Sequence, residues 1–312
     1  MIREYRTICD TSGQFLTVRN VQGISCGTIG EVLLSNGDTR VCQVVEVDAD
    51  HAHLALFDSP LGISLADSKV RFWHYGLELP LSEDLLGRTF DSLGNPTDGG
   101  AAILPERYAD VMGHPINPLT RTPGTAEVRT GITALDEEEP LRLGERCTIA
   151  VPFGRSPAAL ASQIAQQAKI VGQDTELTLV IAAIGLPFEE TEHLLGDLRR
   201  TGLTPRTTLF LSPPEDTPLR RLTPPYLAMT AAEYLAFEKD RQVLLLFLDL
   251  AQYEEAAIEA LETASIAPWT SCSPAYAPHH PYTDLAALQE RIGCRQGKTG
   301  SITLLSILTE DM

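Results

Sequence analysis

Lysine is scarce in this chain of 312 residues: only Lys69, Lys169, Lys239 and Lys298 are present, and the excess of carboxylates leaves a formal net charge of −18. A nucleic-acid groove or an anionic membrane surface rewards a concentrated basic face, so this balance argues against either partner. Long apolar runs are missing as well. None approaches the length of a membrane-spanning helix, and the start "MIREYRTICD" has no apolar signal-peptide core. Direct membrane insertion is therefore not expected, and any membrane association would run through partners. Paired cysteines are also absent. Cys9, Cys26, Cys42, Cys147, Cys272 and Cys294 show no C-x-x-C pair and no metal-finger spacing, which points to reduced thiols in a cytosolic setting, packed as small buried hydrophobes.

What is present is a soluble composition with 43% hydrophobic residues, enough for one large or two moderate domains with their own cores. From Arg6 to about Val70, short β-branched runs alternate with turn signals: "FLTVRNV", "GTIGEVLL", "TRVCQVVEV" and "HAHLALF". Asn36-Gly37 favours the positive φ values of a tight hairpin, so residues 1–71 read as a small antiparallel β-domain or barrel. A Gly- and Pro-rich stretch follows, "LGRTFDSLGNPTDGG" on to "MGHPINPLTR", and reads as a connection between domains. From Thr130 onward "CTIAV", "LTLVIAAIG", "RTTLFL", "QVLLLFLD" and "SITLLSIL" alternate with helical segments. Buried strands alternating with helices predict an α/β domain over 72–312, with a mostly parallel sheet covered on both faces.

The stretch "CTIAVPFGRSPAALASQIAQQ" has the strand, turn and helix of a phosphate-binding loop. A G-x-x-x-x-G-K-[ST] loop needs two glycines for close approach, a lysine for the β and γ phosphates and a hydroxyl for magnesium. Here those positions read Val151, Ser156, Pro157 and Ala158. Proline offers neither an N–H nor a charge, and alanine cannot ligand a metal. What remains is good chemistry for starting a helix, with Ser156 as cap and Pro157 at the first helical position. Gly154, Arg155, Ser156, Pro157 and Ala158 thus form a degenerate remnant, in which Arg155 reads as a solvated surface arginine in preference to an anion contact at the helix N-terminus. The second half of such a site is an apolar strand ending in a carboxylate, and "VLLLFLD" ending at Asp249 has that form. Glu189 and Glu190, after "LVIAAIG", read as acidic residues of a first helical turn rather than as a base for water.

Two decoys fall on spacing. Gly297-Lys298-Thr299 suggests a second phosphate loop, but Ile292 sits where its first glycine belongs, and a helical segment precedes it while a strand follows. His51 with His53, and His279 with His280, lack a third ligand nearby in the sequence, so no metal site is expected.

Several segments together resemble the non-catalytic B subunit of the archaeal and vacuolar type rotary ATPases: "EYRTI", "SEDLLGRTFDSLGNPTDGG", "MGHPINPLTR", "TGITALD", "MTAAEYLA", "YTDLAALQERIG" and "GSIT", in order over nearly the whole chain. The resemblance implies an N-terminal β-barrel and a RecA-like nucleotide-binding domain with a degenerate phosphate loop. It also implies an alternating hexamer with catalytic A subunits around a central stalk, with peripheral-stalk contacts, on the cytoplasmic side of a membrane. Such a subunit does not hydrolyse ATP; it has no cofactor of its own, and ATP or ADP binding at the A–B interface is weak or absent. One departure concerns length. Family members continue past the segment matched by "GSITLLSILT" into more of the α/β domain and a helical C-terminal domain, and their arginine finger lies in that continuation. Ending at Met312, the sequence is expected to lack both the finger and the helical domain, and Arg220 and Arg221 are not at the matching place. A second reading is a shortened stand-alone paralogue acting as an interaction module outside any motor; a third, an independent nucleotide-binding enzyme, needs a phosphate site that the residues do not supply.

Overall fold

The structure is a computed structural model and describes residues 4–48, 50–73, 75–138, 140–152, 154–266 and 281–309. The chain forms two compact units. One comprises Met1–Glu78, Asp216–Arg220 and Glu254–Asp284, the other Leu79–Glu215, Arg221–Tyr253 and Leu285–Met312.

The first unit is built on β1 (Glu4–Tyr5), β2 (Ile8–Ser12), β3 (Phe15–Arg19), β4 (Ile29–Leu33), β5 (Thr39–Asp48), β6 (His51–Leu56) and β7 (Lys69–Phe72). They pair antiparallel in the order β1-β7-β4-β5-β6-β3-β2. Alternate side chains converge on one face, with Leu16, Val18, Val32, Cys42, Val44, Leu54, Leu56, Val70 and Phe72 packed together. Burial pushes the Cys42 thiol upward, so it behaves as a small hydrophobe. Cys9, Cys26, Cys147 and Cys294 are only half-buried, and Cys272 lies outside the described residues. The sheet is a curled half-barrel rather than the closed barrel expected. Its two ends are β1, with two residues, and β2, where a bulge between Ile8 and Asp10 breaks the register; both are ways of blunting an edge. Asn36-Gly37 does turn the β4–β5 hairpin, but Gly37 alone takes positive φ, at 92°. Asn36 instead accepts the Asp38 N–H on its side chain (3.0 Å), which makes a longer Asx-type loop. The 216–220 segment is held in this unit: Leu219 packs on Phe15, Val45 and Ala55, Thr217 Oγ1 donates to the Phe57 carbonyl (2.7 Å), and Arg220 pairs with Asp58 (2.7 Å).

Along the rest of the chain lie β8 (Glu78–Leu81), β9 (Thr89–Phe90), β10 (Arg107–Asp110), β11 (Arg121–Thr122), β12 (Glu127–Arg129), β13 (Leu141–Arg142), β14 (Arg146–Val151), β15 (Lys169–Ile170), β16 (Thr178–Ile184), β17 (Thr207–Ser212), β18 (Gln242–Leu248), β19 (Gly293–Arg295) and β20 (Ser301–Thr309). The helices are α1 (Thr133–Glu138), α2 (Pro157–Gln167), α3 (Phe188–Arg200), α4 (Pro218–Arg221), α5 (Pro224–Phe237), α6 (Leu250–Ile266) and α7 (Pro281–Gln289). The second unit holds an eight-stranded sheet. Within it β14–β20, β20–β18, β18–β16, β16–β17 and β17–β9 pair parallel, whereas β11–β19 and β19–β20 pair antiparallel. One edge of β20 is shared: its first residues take β19 and the remainder take β14.

The central strands are continuous apolar runs because both faces are covered. On one face Leu179, Ile181, Ala183, Leu244, Leu246, Leu248, Leu305 and Ile307 pack with Ala158, Ala161, Ile164 and Ala165 of α2 and with Leu194 and Leu198 of α3. On the other lies α5, in contact with β16, β17, β18 and β20. Its sequence "PPYLAMTAAEYLAF" is apolar almost all round, and it is buried almost all round.

Two short pieces of the Gly- and Pro-rich stretch read as a connection join this sheet, at Thr89–Phe90 and at Arg121. Within it β9 extends the edge beside β17: Gly87 N–H donates to the Thr207 carbonyl (2.8 Å) and Leu209 N–H to that of Arg88 (3.1 Å). A strand of two residues is too short for a periodic signal, and its glycines serve the turns on either side, with Gly87 at φ 83° and Gly94 at φ 81°.

Candidate functional site

The strand–turn–helix frame of a phosphate loop is present. Strand β14 ends at Val151, Arg155 N–H closes a turn onto the Pro152 carbonyl (3.1 Å) with Gly154 at φ 82°, and α2 starts at Pro157. Ser156 caps the helix by accepting the Ala159 N–H on Oγ (3.2 Å). The first helical N–H groups are what such a loop offers to phosphate. Here Pro157 has none and that of Ala159 is taken, which leaves the Ala158 N–H alone. The Ala158 side chain, at the metal-binding hydroxyl position, is buried in the core beneath the sheet. Arg155 is exposed and has no carboxylate within ion-pairing distance among the described residues.

A further group occupies this position, one that the sequence did not reveal. Ser156 Oγ donates to Glu190 Oε2 at 2.5 Å, so a carboxylate of the chain itself sits at the N-terminal end of α2. Glu190 belongs to the first turn of α3, and the two helices run side by side, tied again where Ser162 Oγ donates to Asp197 (2.8 Å). A helix N-terminus favours negative charge, and Glu190 supplies it internally. Glu189, its neighbour, is exposed. Asp249 follows β18 with φ at 62°, in the left-handed region that Asp tolerates better than most residues, and leads into α6. Because β14 and β18 flank β20 and all three run parallel, Asp249 leaves the same end of the sheet as the 152–156 turn, two strand spacings (about 10 Å) away.

The other motif segments have visible structural work. In "TGITALD", Asp136 accepts Thr130 N–H and Thr130 Oγ1–H on one oxygen (both 2.8 Å) and Gly131 N–H on the other (2.9 Å), which fixes the start of α1. In the "LGRTF" segment Arg88 and Asp98 pair (Nη2–Oδ1 2.8 Å). The Arg88 hydrogen bonds, helped by the N–H groups of Gly100 and Thr89, hold the Asp98 carboxyl down at about 2. "MGHPI", "MTAAEYLA" and "LQERIG" meet at Arg291, which is 1% exposed. Its guanidinium pairs with both oxygens of Glu233 (2.9 and 2.7 Å) and donates to the Val111 carbonyl (2.8 Å) and to Thr230 Oγ1 (3.0 Å). A side chain at Gly113 would run into that guanidinium.

The decoys resolve differently. Gly297-Lys298-Thr299 forms the turn between β19 and β20 and opens a strand, not a helix. His51 lies beside Asp50 (2.9 Å) and His53 beside Thr17 Oγ1 (3.1 Å), while burial holds the His53 imidazole below its ordinary value. His279 and His280 lie outside the described residues. Among the described residues no cluster of three or more His, Cys, Asp or Glu is arranged to hold a metal ion.

A parallel-stranded core with a strand–turn–helix at its C-terminal end and a carboxylate two strands away defines the class of a nucleotide-binding α/β domain. Residues 131–312 match the family described as ATP synthase alpha/beta family, nucleotide-binding domain. The chain belongs to the ATP synthase alpha/beta family, and its core is the RecA-like α/β fold of that family. Members of the family assemble into hetero-oligomeric ATP synthase complexes.

Proposed function

We propose that the chain is the non-catalytic, regulatory B-type subunit of an A/V-type proton- or sodium-translocating ATPase, packing beside catalytic A subunits and touching central- and peripheral-stalk subunits. In this reading the eight-stranded sheet is the mostly parallel core, the 152–158 segment is a degenerate phosphate loop, and ATP turnover and ion transport belong to the complex. One observation carries it. Where a phosphate loop presents lysine, hydroxyl and free N–H groups, this chain presents Pro157, Ala158 and a capped serine held by Glu190. An anion arriving there meets the Glu190 carboxylate beside the exposed Arg155, in place of the lysine and hydroxyl of a phosphate loop. The motif series from Arg88 to Arg291 supports the B type within the family. No described helix is long and apolar enough to cross a membrane.

The test is ATP turnover by the purified chain in the presence of magnesium. We expect none above the blank. Steady turnover that follows the chain through purification and disappears with Asp249→Asn would overturn the assignment.

A further inference from the structure

On the second unit, away from the 152–158 turn, a cleft of about 410 Å³ is lined by Arg107, Glu233, Phe237, Glu238, Arg295 and Lys298, among others. Its volume is that of a small-molecule site. In a chain of net charge −18 its charge is reversed. Both lining carboxylates are already neutralised: Glu233 by the buried Arg291 and Glu238 by Arg107. Arg295 and Lys298 then remain as cations with no carboxylate within 4 Å of either among the described residues; Asp240, which accepts the Thr299 N–H (3.3 Å) and keeps its charge, offsets part of that of Lys298.

The backbone that carries the two cations is held in place. Lys298 N–H donates to the Arg295 carbonyl (3.1 Å), Gly297 supplies positive φ (77°), and Gln296 N–H donates to the Thr120 carbonyl (2.7 Å). They therefore stand at the two ends of one β-turn, whose Cα atoms lie within about 7 Å. The Arg295 guanidinium is 5.0 Å from the centre of the buried Phe237 ring, a cation–π contact that restrains the arginine side chain at the cleft. Two cations carried by one turn, one of them a guanidinium able to form paired hydrogen bonds, are the elements of an anion site.

We propose that this cleft binds a small organic dianion, a phosphate monoester, through Arg295 and Lys298. It is independent of the phosphate-loop remnant and of the assignment above. The test is isothermal titration of the full chain with phenyl phosphate at low salt. The expected result is saturable binding of one equivalent in the millimolar range or tighter, weakened at least tenfold in the exposed-surface double variant Arg295→Gln/Lys298→Gln and unchanged in Arg155→Ala. Circular dichroism checks that each variant is folded. Absence of saturable binding, binding that survives the double substitution, or binding lost with Arg155→Ala would each overturn the proposal.

Discussion

Substituting Glu233 by Leu removes the carboxylate that faces Arg291 and leaves a guanidinium, 1% exposed, with only neutral acceptors on Val111, Met112 and Thr230. Removing one partner of a buried ion pair costs about 3–5 kcal/mol, because the remaining charge is stranded. The Glu233 side chain is 25% exposed, so water reaches its end of the pair and the low end, about 3 kcal/mol, applies. With a urea dependence of roughly 3 kcal/mol per molar, the unfolding midpoint falls by about 1 M. The double variant Glu233→Leu/Arg291→Met removes both charges and should recover at least ~1.5 kcal/mol of the sum of the single effects. Urea titrations of the four proteins by circular dichroism give the cycle. A single-variant cost below about 1 kcal/mol, or additive effects, would refute the view that this pair binds the 111–113, α5 and 291 segments together.

Other outcomes follow from the same contacts. Asp136→Ala should destabilise the chain by about 2 kcal/mol in urea, since three donors lose their acceptor; a loss within error of zero would remove it as the anchor of the 130–136 turn. The carboxyl of Asp98 is depressed to about 2 from an unfolded value of about 3.9, so its contribution is present above pH 4 and lost as pH falls through 2. Asp98→Asn should flatten that acid limb of the stability profile, and an unchanged limb contradicts the pairing with Arg88. Ser156→Ala removes the helix cap and the contact to Glu190 together, for about 1 kcal/mol, measurable by thermal unfolding. Pro157→Lys/Ala158→Thr should still fail to bind Mg-ATP in calorimetry while Glu190 keeps its carboxylate at the helix end; tight binding by that variant would show that Glu190 does not close the site.

The parts of the fold legible in the sequence are those fixed by local pattern. The apolar runs of β14, β16, β17, β18 and β20 stand out because strands covered on both faces need no polar alternation, and Ser156-Pro157 marks the start of α2 by capping chemistry alone. The phosphate-loop frame and its altered residues were legible for the same reason. Contacts made across the chain were not. Ser156 and Glu190 are 34 positions apart and meet only because α2 and α3 pack side by side, while Arg291 and Glu233 are separated by 58. The "LGRTF" stretch misled because its glycines and prolines signal turns, while the two-residue pairing of β9 carries no periodicity. A closed barrel was expected from alternating strands, but closure depends on the two edge strands, and β1 and β2 are too short and irregular to announce their pairing.

The most direct test of the central claim is the mass, by native mass spectrometry, of the species formed when this chain is mixed with the catalytic A-type subunit from the same source. The account predicts a mixed oligomer containing both chains in equal number. Separate species only, under conditions where the A-type subunit is folded and binds nucleotide, would contradict the assignment of this chain as its B-type partner.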